Sequence, residues 1–523
     1  MTNEEIPVLI VGGSLVGLTT AMLLGDLGVP SMSVERHAGT AIHPRAGHFQ
    51  LGTMEMVRQV GLEDEVREAS ARTYHPKGGI IEVSSLAGEQ RATYVEELNE
   101  GVEGYSPTVR VFVNQDVLEP ILRRRAIELG ATVRNRVEAT GIEQDADGVT
   151  VTLRDLDSGE ESVVRARYVV AADGNRSPMR ERLGIAMQGY GELSRSITIY
   201  FRADCAPLLR DRNQGVIYVR NDALRGFFRL DRTGGTGFLV INTVGEDVTT
   251  DEAVNVGEGL TDERVAALLQ AAIGTPDIPA EVIDVAHWRA ESNVAERMRD
   301  GRVFLAGDAA HVVPPNGGYG GNTGVQDARN LAWKLAAVIK GDAGSALLDS
   351  YDAERRPLGR LTVEQAYTRY ASRVVPERGT DDVEPFIPDL TMELGLVMRS
   401  GAVIEDGSDD DGLLHMPPAD VRGRPGTRAP HVDLGDGRST IDLFGREFVL
   451  LAPPGSPAAS ATVPAGVATH VIDAPGFIEA YGIAHHGASL VRPDGIVGWR
   501  TSDGFAAGDL SAAVATILDA DAG

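Results

Sequence analysis

The chain has 523 residues, 42% of them hydrophobic, with 61 Gly, 26 Pro and a formal charge of −27 from 76 Asp and Glu against 49 Lys and Arg. That length predicts about three to four domains, and the composition excludes a disordered, fibrous or disulfide-stapled chain. So acidic a surface repels phosphate backbones and anionic lipid, which argues against nucleic acid or a membrane as partner.

Cys205 is the one cysteine. It permits no intrachain disulfide, no CxxC redox pair and no zinc site, so no metal is expected. The N-terminus lacks the basic start of a signal peptide, and no apolar run approaches the roughly 18 residues of a membrane span. The expectation is a soluble, cytoplasmic protein.

In chain order, Ile6–Val11 is an apolar run that predicts a buried parallel strand ending at Gly12 and Gly13. Residues 15–28 predict a helix with Leu15, Leu18, Thr19, Met22 and Leu23 on one face and Gly28 as its stop. A second strand, Ser31–Val34, ends at Glu35 and completes a βαβ unit. A helix is expected at 113–130, with strands at 131–137, 149–154 and 163–171, the last running into Asp173 and Gly174. From 194 to 243, short β-rich runs separated by turns predict an inserted antiparallel sheet. A helix follows Thr261 and stops at Gly274. Arg302–Ala306 predicts another buried strand, ending in Gly307 and Asp308. A Pro/Gly-rich loop covers 314–324 and a helix follows near 325–340. Glu405–Gly412 looks like a linker. Residues 430–523 look like a separate α/β module with strands at Glu447–Leu451 and His470–Asp473, and a hairpin turning at Pro493-Asp494-Gly495.

Gly12-Gly13-Ser14-Leu15-Val16-Gly17 lies between a strand and a helix, the context a dinucleotide fingerprint requires. Gly12 permits the tight turn, Gly17 lets the helix pack close, and the helix start offers N–H groups to a pyrophosphate. Glu35 can accept hydrogen bonds from a ribose. Ser14 replaces the middle glycine. This site alone does not separate FAD from NAD.

Two later motifs do. Ala172-Asp173-Gly174-Asn175-Arg176-Ser177-Pro178-Met179-Arg180 follows one strand. Gly307-Asp308-Ala309-Ala310-His311 follows another and runs through Pro314, Pro315, Gly317, Gly318, Gly320 and Asn322 to Asn330-Leu331-Ala332-Trp333-Lys334-Leu335. With these, the chain resembles the class A FAD-dependent aromatic hydroxylases of the para-hydroxybenzoate hydroxylase fold. Tyr351–Pro357 matches the segment that follows in that family. Gly426–His431 and Gly487–Gly495 resemble the thioredoxin-like tail of its larger members, the actinobacterial hydroxylases that tailor polycyclic aromatic polyketides.

The resemblance implies an α/β fold in three parts. Residues 1–75, 105–185 and 290–400 would form a Rossmann-like FAD-binding domain. Residues 76–104 and 186–289 would form an inserted antiparallel-sheet substrate domain, and 401–523 a C-terminal thioredoxin-like domain. It also implies residue roles. Asp308 would hold the ribityl chain. The backbone amides of Gly321 and Asn322 would reach the flavin's pyrimidine edge, with Gly320 and Gly321 keeping the approach clear, and Pro315 would lie beside the reactive edge. Arg45, in His43-Pro44-Arg45-Ala46, would contact the cofactor and guide flavin movement; Arg45 and Pro315 are the catalytic candidates. Gln115, Val137, Asp173 and Arg36 would line the FAD, with Gly12, Gly13, Ser14, Leu15, Val16, Gly17 and Glu35. Tyr319 would touch the ring or substrate, or merely cover its loop. His311 fits the motif without a chemical task.

No second nucleotide-binding unit is apparent, so NADPH is expected as a transient co-substrate. The implied reaction is O2-dependent and NAD(P)H-consuming, through a C4a-hydroperoxyflavin that hydroxylates a polycyclic aromatic polyketide, as in antibiotic biosynthesis. Baeyer–Villiger insertion and hydroxylation of a monocyclic phenol are the alternatives. A redox-relay role for the tail has no thiol to work with, because no cysteine follows Cys205. The inserted sheet carries Ile197, Ile199, Phe201, Ile217, Val219, Phe227, Phe228 and Leu230, several of which could face the flavin. Tyr200, Tyr218 and Arg225 lie on the same sheet, and no catalytic base is assigned. A monomer or homodimer is expected.

Overall fold

The computed structural model describes residues 3–42, 47–210, 212, 214–378, 383–408 and 411–519. Strand β1 (Asn3–Val11) leads through the glycine loop into helix α1 (Leu15–Asp26), and β2 (Ser31–Glu35) returns parallel to β1. Helix α2 (Gln115–Glu128) precedes β3 (Thr132–Asn135), which extends the sheet beside β2. On the other side of β1 runs β4 (Glu161–Ala171), also parallel. Val8, Leu9 and Ile10 are wholly buried, as expected for a parallel sheet covered on both faces. The single strand expected at 131–137 is interrupted. Arg136 takes a left-handed φ of +61°, and Val137 instead opens the antiparallel strand Val137–Gln144.

The chain then leaves for a second sheet: β5 (Met187–Arg202), β6 (Val216–Arg220), β7 (Leu224–Leu230), β8 (Thr236–Val244) and β9 (Glu281–Ala295). Its order is His311–Val312, β9, β5, β8, β7, β6, then Ile80–Val83 and Gln90–Val95. Helix α3 (Asp262–Ile273), capped by Thr261 and ended by Gly274, covers one face. Period-two alternation decides what that face holds. Ile197, Ile199, Phe201, Ile217, Val219, Phe228 and Leu230 pack against Val265, Leu268 and Leu269 of α3. Most of the residues that could have faced the flavin therefore pack against the helix instead. Of the eight residues, Phe227 alone joins the opposite face, clustered with Tyr200, Phe238 and Val240.

Strand β10 (Val303–Leu305) rejoins the first sheet beside β4. Six residues later His311–Val312 pairs with β9 in the second sheet, so the third motif is the joint between the two sheets. Helix α4 (Tyr319–Lys340) begins inside the expected glycine-rich loop rather than near 325. The glycines that hide it from a propensity reading serve its packing: a Cβ on Gly324 would meet Val16 Cγ2 at 2.5 Å and Gly307 Cα at 3.1 Å. Helix α5 (Asp349–Arg373) follows.

The C-terminal module contains β11 (Phe448–Ala452), β12 (Val467–Val471), β13 (Ala488–Val491), β14 (Val497–Thr501) and α6 (Ala507–Asp519). Their order, β12-β11-β13-β14, with only the first pair parallel, is thioredoxin-like. The turn after β11 is Pro453-Pro454-Gly455-Ser456, without a thiol. The strand expected at His470–Asp473 starts earlier, at Val467. The module shares its core with the first domain: Phe448 meets Trp333 of α4 edge-on at 5.8 Å. A buried polar network locks the joint. Glu354 of α5 accepts from Lys334 of α4 at 2.8 Å and from Arg492 Nη2 at 2.9 Å, while Asn330 donates to Asp494 at 3.0 Å. Among the described residues no helix is long and apolar enough to cross a membrane, and no cluster suits a metal ion.

Candidate active site

The three motifs converge at the carboxyl ends of β1, β4 and β10. Gly12 has φ +115°, and a Cβ there would lie 2.1 Å from the carbonyl oxygen of Ala172, so the first and second motifs touch through backbone alone. A Cβ on Gly17 would sit 1.9 Å from Gly12 O. The helix start is thereby drawn onto the sheet, as the sequence reading expects. Glu35, at the end of β2, accepts the Gly13 N–H at 2.8 Å and the His37 N–H at 2.9 Å.

Glu119 of α2 was not singled out by sequence. It is fully buried and accepts the N–H of Leu15 at 2.9 Å, the N–H of Ala41 at 2.7 Å and the amide of Gln115 at 2.6 Å, and it also pairs with the Ser14 hydroxyl. Gln115 donates to Ser14 Oγ at 2.9 Å as well. The helix that leads into the sheet's edge strand is thus tied to the glycine loop.

Asp308 is exposed, although its neighbours from Val303 to Val312 are otherwise nearly all buried. It presents a carboxylate at the end of β10. Pro315 is exposed too, between buried Pro314 and Asn316. Asn316 is 1% exposed, and neither polar atom of its amide has a hydrogen-bond partner. At the start of α4 the first-turn N–H groups have no intrahelical acceptor, and the helix's positive end adds to them. The Asn322 side chain uses its amide fully. It donates to His48 O at 2.9 Å and Gly318 O at 2.8 Å, and accepts from Gln50 N at 2.9 Å and Thr53 Oγ1 at 2.8 Å. Its side chain therefore fixes the 48–53 segment against α4, leaving only its backbone to face a ligand.

Asp173 caps its own turn, accepting from Ser177 Oγ at 2.6 Å and Met179 N at 3.0 Å; burial pushes its carboxyl up. Arg180, the last residue of the second motif, donates to Ala309 O at 3.0 Å and joins that motif to the third. His311 is wholly buried and meets Asp327 at 2.6 Å, while Asp327 also accepts from Arg355 at 2.8 Å. That is a packing role. Tyr319 is also structural: its hydroxyl donates to Asp389 at 2.6 Å and its ring packs with Ala366, Ile387 and Met392. Arg36 is exposed, and Val137 belongs to the first domain's core. Arg45 lies outside the described residues.

The donor set fits FAD: N–H groups at the starts of α1 and α4, acceptor carboxylates at Glu35 and Asp308, and the unpartnered Asn316 amide beside Pro315. Facing this region, the side of the inserted sheet away from α3 is a mainly aromatic cluster of Tyr200, Phe238 and Val240 with Phe227, Ala286 and Trp288. Trp288 donates to Thr198 at 3.0 Å, and Tyr218 packs on Phe227 with 5.7 Å between ring centres.

Residues 5–366 match the family model described as "FAD binding domain", and 422–520 the one described as "Aromatic-ring hydroxylase, C-terminal". The chain is 51% identical to a 4-methyl-5-nitrocatechol 5-monooxygenase of Burkholderia sp, covering 95% of this chain and 94% of that one. It is 39% identical to a tetracenomycin A2 monooxygenase-dioxygenase of Streptomyces glaucescens, covering 99% and 98%. The structure of aklavinone-11 hydroxylase with FAD and aklavinone superposes with a TM-score of 0.91 at 36% identity, covering 99% of this chain and 100% of that one. The FAD-binding sheet, the inserted antiparallel sheet and the thioredoxin-like tail superpose as one architecture, and this chain belongs to the FAD-dependent aromatic hydroxylases, as a flavin monooxygenase.

Proposed function

We propose that this monooxygenase consumes NAD(P)H and O2 to hydroxylate a single-ring, acidic phenol of the nitrocatechol class. The observation that carries this reading is the orientation of the inserted sheet. Its long aliphatic row faces α3, so the side facing the FAD domain carries a short aromatic cluster rather than a broad aliphatic wall. That side offers Tyr200, Tyr218, Phe227 and Phe238, and Arg229 beyond them. The 51% identity to the nitrocatechol enzyme supports the same reading.

Bound FAD supplies reduction by NAD(P)H and activation of O2 for insertion of one oxygen atom into the ring. The protein supplies the rest. The α1 start would receive the pyrophosphate, Glu35 the ribose and Asp308 the ribityl hydroxyls. The α4 start would offer N–H groups to the pyrimidine edge, where they would favour negative charge. Pro315 and Asn316 border the reacting face, and the aromatic side of the sheet positions the substrate ring and excludes water.

A second reading, hydroxylation of a polycyclic polyketide, has support in the Streptomyces relative and the aklavinone-11 hydroxylase likeness. The deciding experiment supplies 4-methyl-5-nitrocatechol with NADPH or NADH to the FAD-loaded enzyme. Oxygen placed on the nitro-bearing carbon releases nitrite. About one nitrite per NAD(P)H consumed is expected; NAD(P)H oxidation at the substrate-free rate, without nitrite, would overturn the single-ring reading.

A further inference from the structure

One charge on the FAD-facing side of the inserted sheet has no counter-charge among the described residues. Arg229 of β7 is 5% exposed. Its Nη1 donates to Gly47 O at 2.7 Å, whereas Nε and Nη2 have no hydrogen-bond partner. The guanidinium lies 4.2 Å from the ring centre of Tyr74 and 4.7 Å from that of Phe112. The charged groups around it are already engaged. Arg110 pairs with Glu393 at 2.9 Å, and Asp389 with Arg369 at 2.7 Å. Tyr74 donates to Asn114 at 2.5 Å.

His48 completes the cluster, its ring 5.5 Å from Phe112 and its Nε2 without a partner. Burial, then the positive charges of Arg110 and Arg229, push His48 down to about 3, so it brings no second charge. Across the sheet, Arg229 is in register with Phe238, and Phe238 with Tyr200. The cation thus sits at the end of the aromatic row.

A guanidinium stays charged even when burial disfavours it. An uncompensated buried cation lowers the energy of any anion nearby, and an opposite charge within about 4–6 Å displaces a phenol's ionisation by about 1–3 pH units. We propose that Arg229 is a specificity-determining residue: the buried counter-charge that selects an ionised phenol, of the nitrocatecholate type, over a neutral polyphenol. This rests on the single-ring reading above. It also suits the chemistry, because a nitro group withdraws electrons from the ring that an electrophilic oxygen must attack, and ionisation of a ring hydroxyl restores them.

The test is a pH titration of 4-nitrocatechol bound to the FAD-loaded enzyme, followed by the visible band of the ionised ring. The bound ligand should ionise about 1–3 pH units below the free one. Arg229→Met, which keeps the buried stem, should return that midpoint toward the free value and weaken binding about tenfold or more at pH 7. Arg229→Lys should recover most of the shift, and FAD content reports intact folding. If the methionine variant loses FAD, the wild-type and lysine titrations still decide. An unshifted midpoint in the wild type, or the same shift with methionine, overturns the proposal. Nitrite release with an unshifted midpoint would sink it while leaving the single-ring reading intact; failure of 4-nitrocatechol to bind at all would sink both.

Discussion

Glu119 accepts the backbone N–H of Leu15 at 2.9 Å, across 104 residues of sequence. The contact makes α2 part of the nucleotide loop, because the same carboxylate holds Ala41 and Gln115. Glu119→Ala leaves these buried donors unpaired. The loss of a charged acceptor costs about 1.5–3 kcal/mol, so FAD affinity should fall roughly 10–150-fold. Fluorescence titration of the apoprotein with FAD measures this; unchanged affinity would remove Glu119 from the site.

Asp308→Ala should weaken FAD by a similar factor, since it too removes a charged acceptor. Asp308 is exposed where Glu119 is buried. Its substitution should therefore lower the apoprotein's melting temperature less than Glu119→Ala does. Paired FAD titrations and melts of the two apoproteins separate a ligand contact from a positioning one.

Glu354→Ala should destabilise the whole enzyme by about 3–5 kcal/mol, because it strands the buried cation of Lys334 and leaves Arg492 with Asp494 alone. Arg492 and Lys334 hold the Glu354 carboxyl well below the usual range against the opposing effect of burial, so it stays ionised at neutral pH. Urea unfolding measures the loss. Separate transitions for the C-terminal module and the FAD domain in the variant would identify the network as what couples them; wild-type stability would refute its role.

His48 gives a pH signature. Its folded-state pKa is depressed from 6.5 to about 3, so its contribution is present above 6.5 and lost as pH falls toward 3. Between those values the unfolded chain binds a proton that the folded chain does not, and stability falls by at most about 1.4 kcal/mol per pH unit. His48→Gln should flatten the wild type's decline in melting temperature between pH 6 and 4. Parallel slopes would show that His48 is not the group responsible.

Much of the architecture was legible because local signals agreed. Gly12, Gly17 and Glu35 are where the fingerprint puts them, and Thr261 and Gly274 bound their helix as their residue types require. The start of α4 was hidden, because Gly320 and Gly321 read as loop until Asn322 and Gly324 are seen pinned by neighbours distant in sequence. The sheet's facing was also hidden. Alternation shows that Phe227 and Phe228 point opposite ways, but only α3 packing on Phe228 decides which way is inward. Glu119 and Arg229 carry no motif of their own, since the contacts that place them, with Leu15 and Gly47, are long-range, and Asn316 stands out only by its unpartnered amide.

The most direct measurement compares coupling on two substrates side by side: product formed per NAD(P)H consumed with 4-methyl-5-nitrocatechol and with a tetracyclic polyphenol such as aklavinone. A ratio near one with the nitrocatechol, and the slow uncoupled background with the tetracycle, is the expected result. Efficient coupling on the tetracycle, with none on the nitrocatechol, would contradict the account.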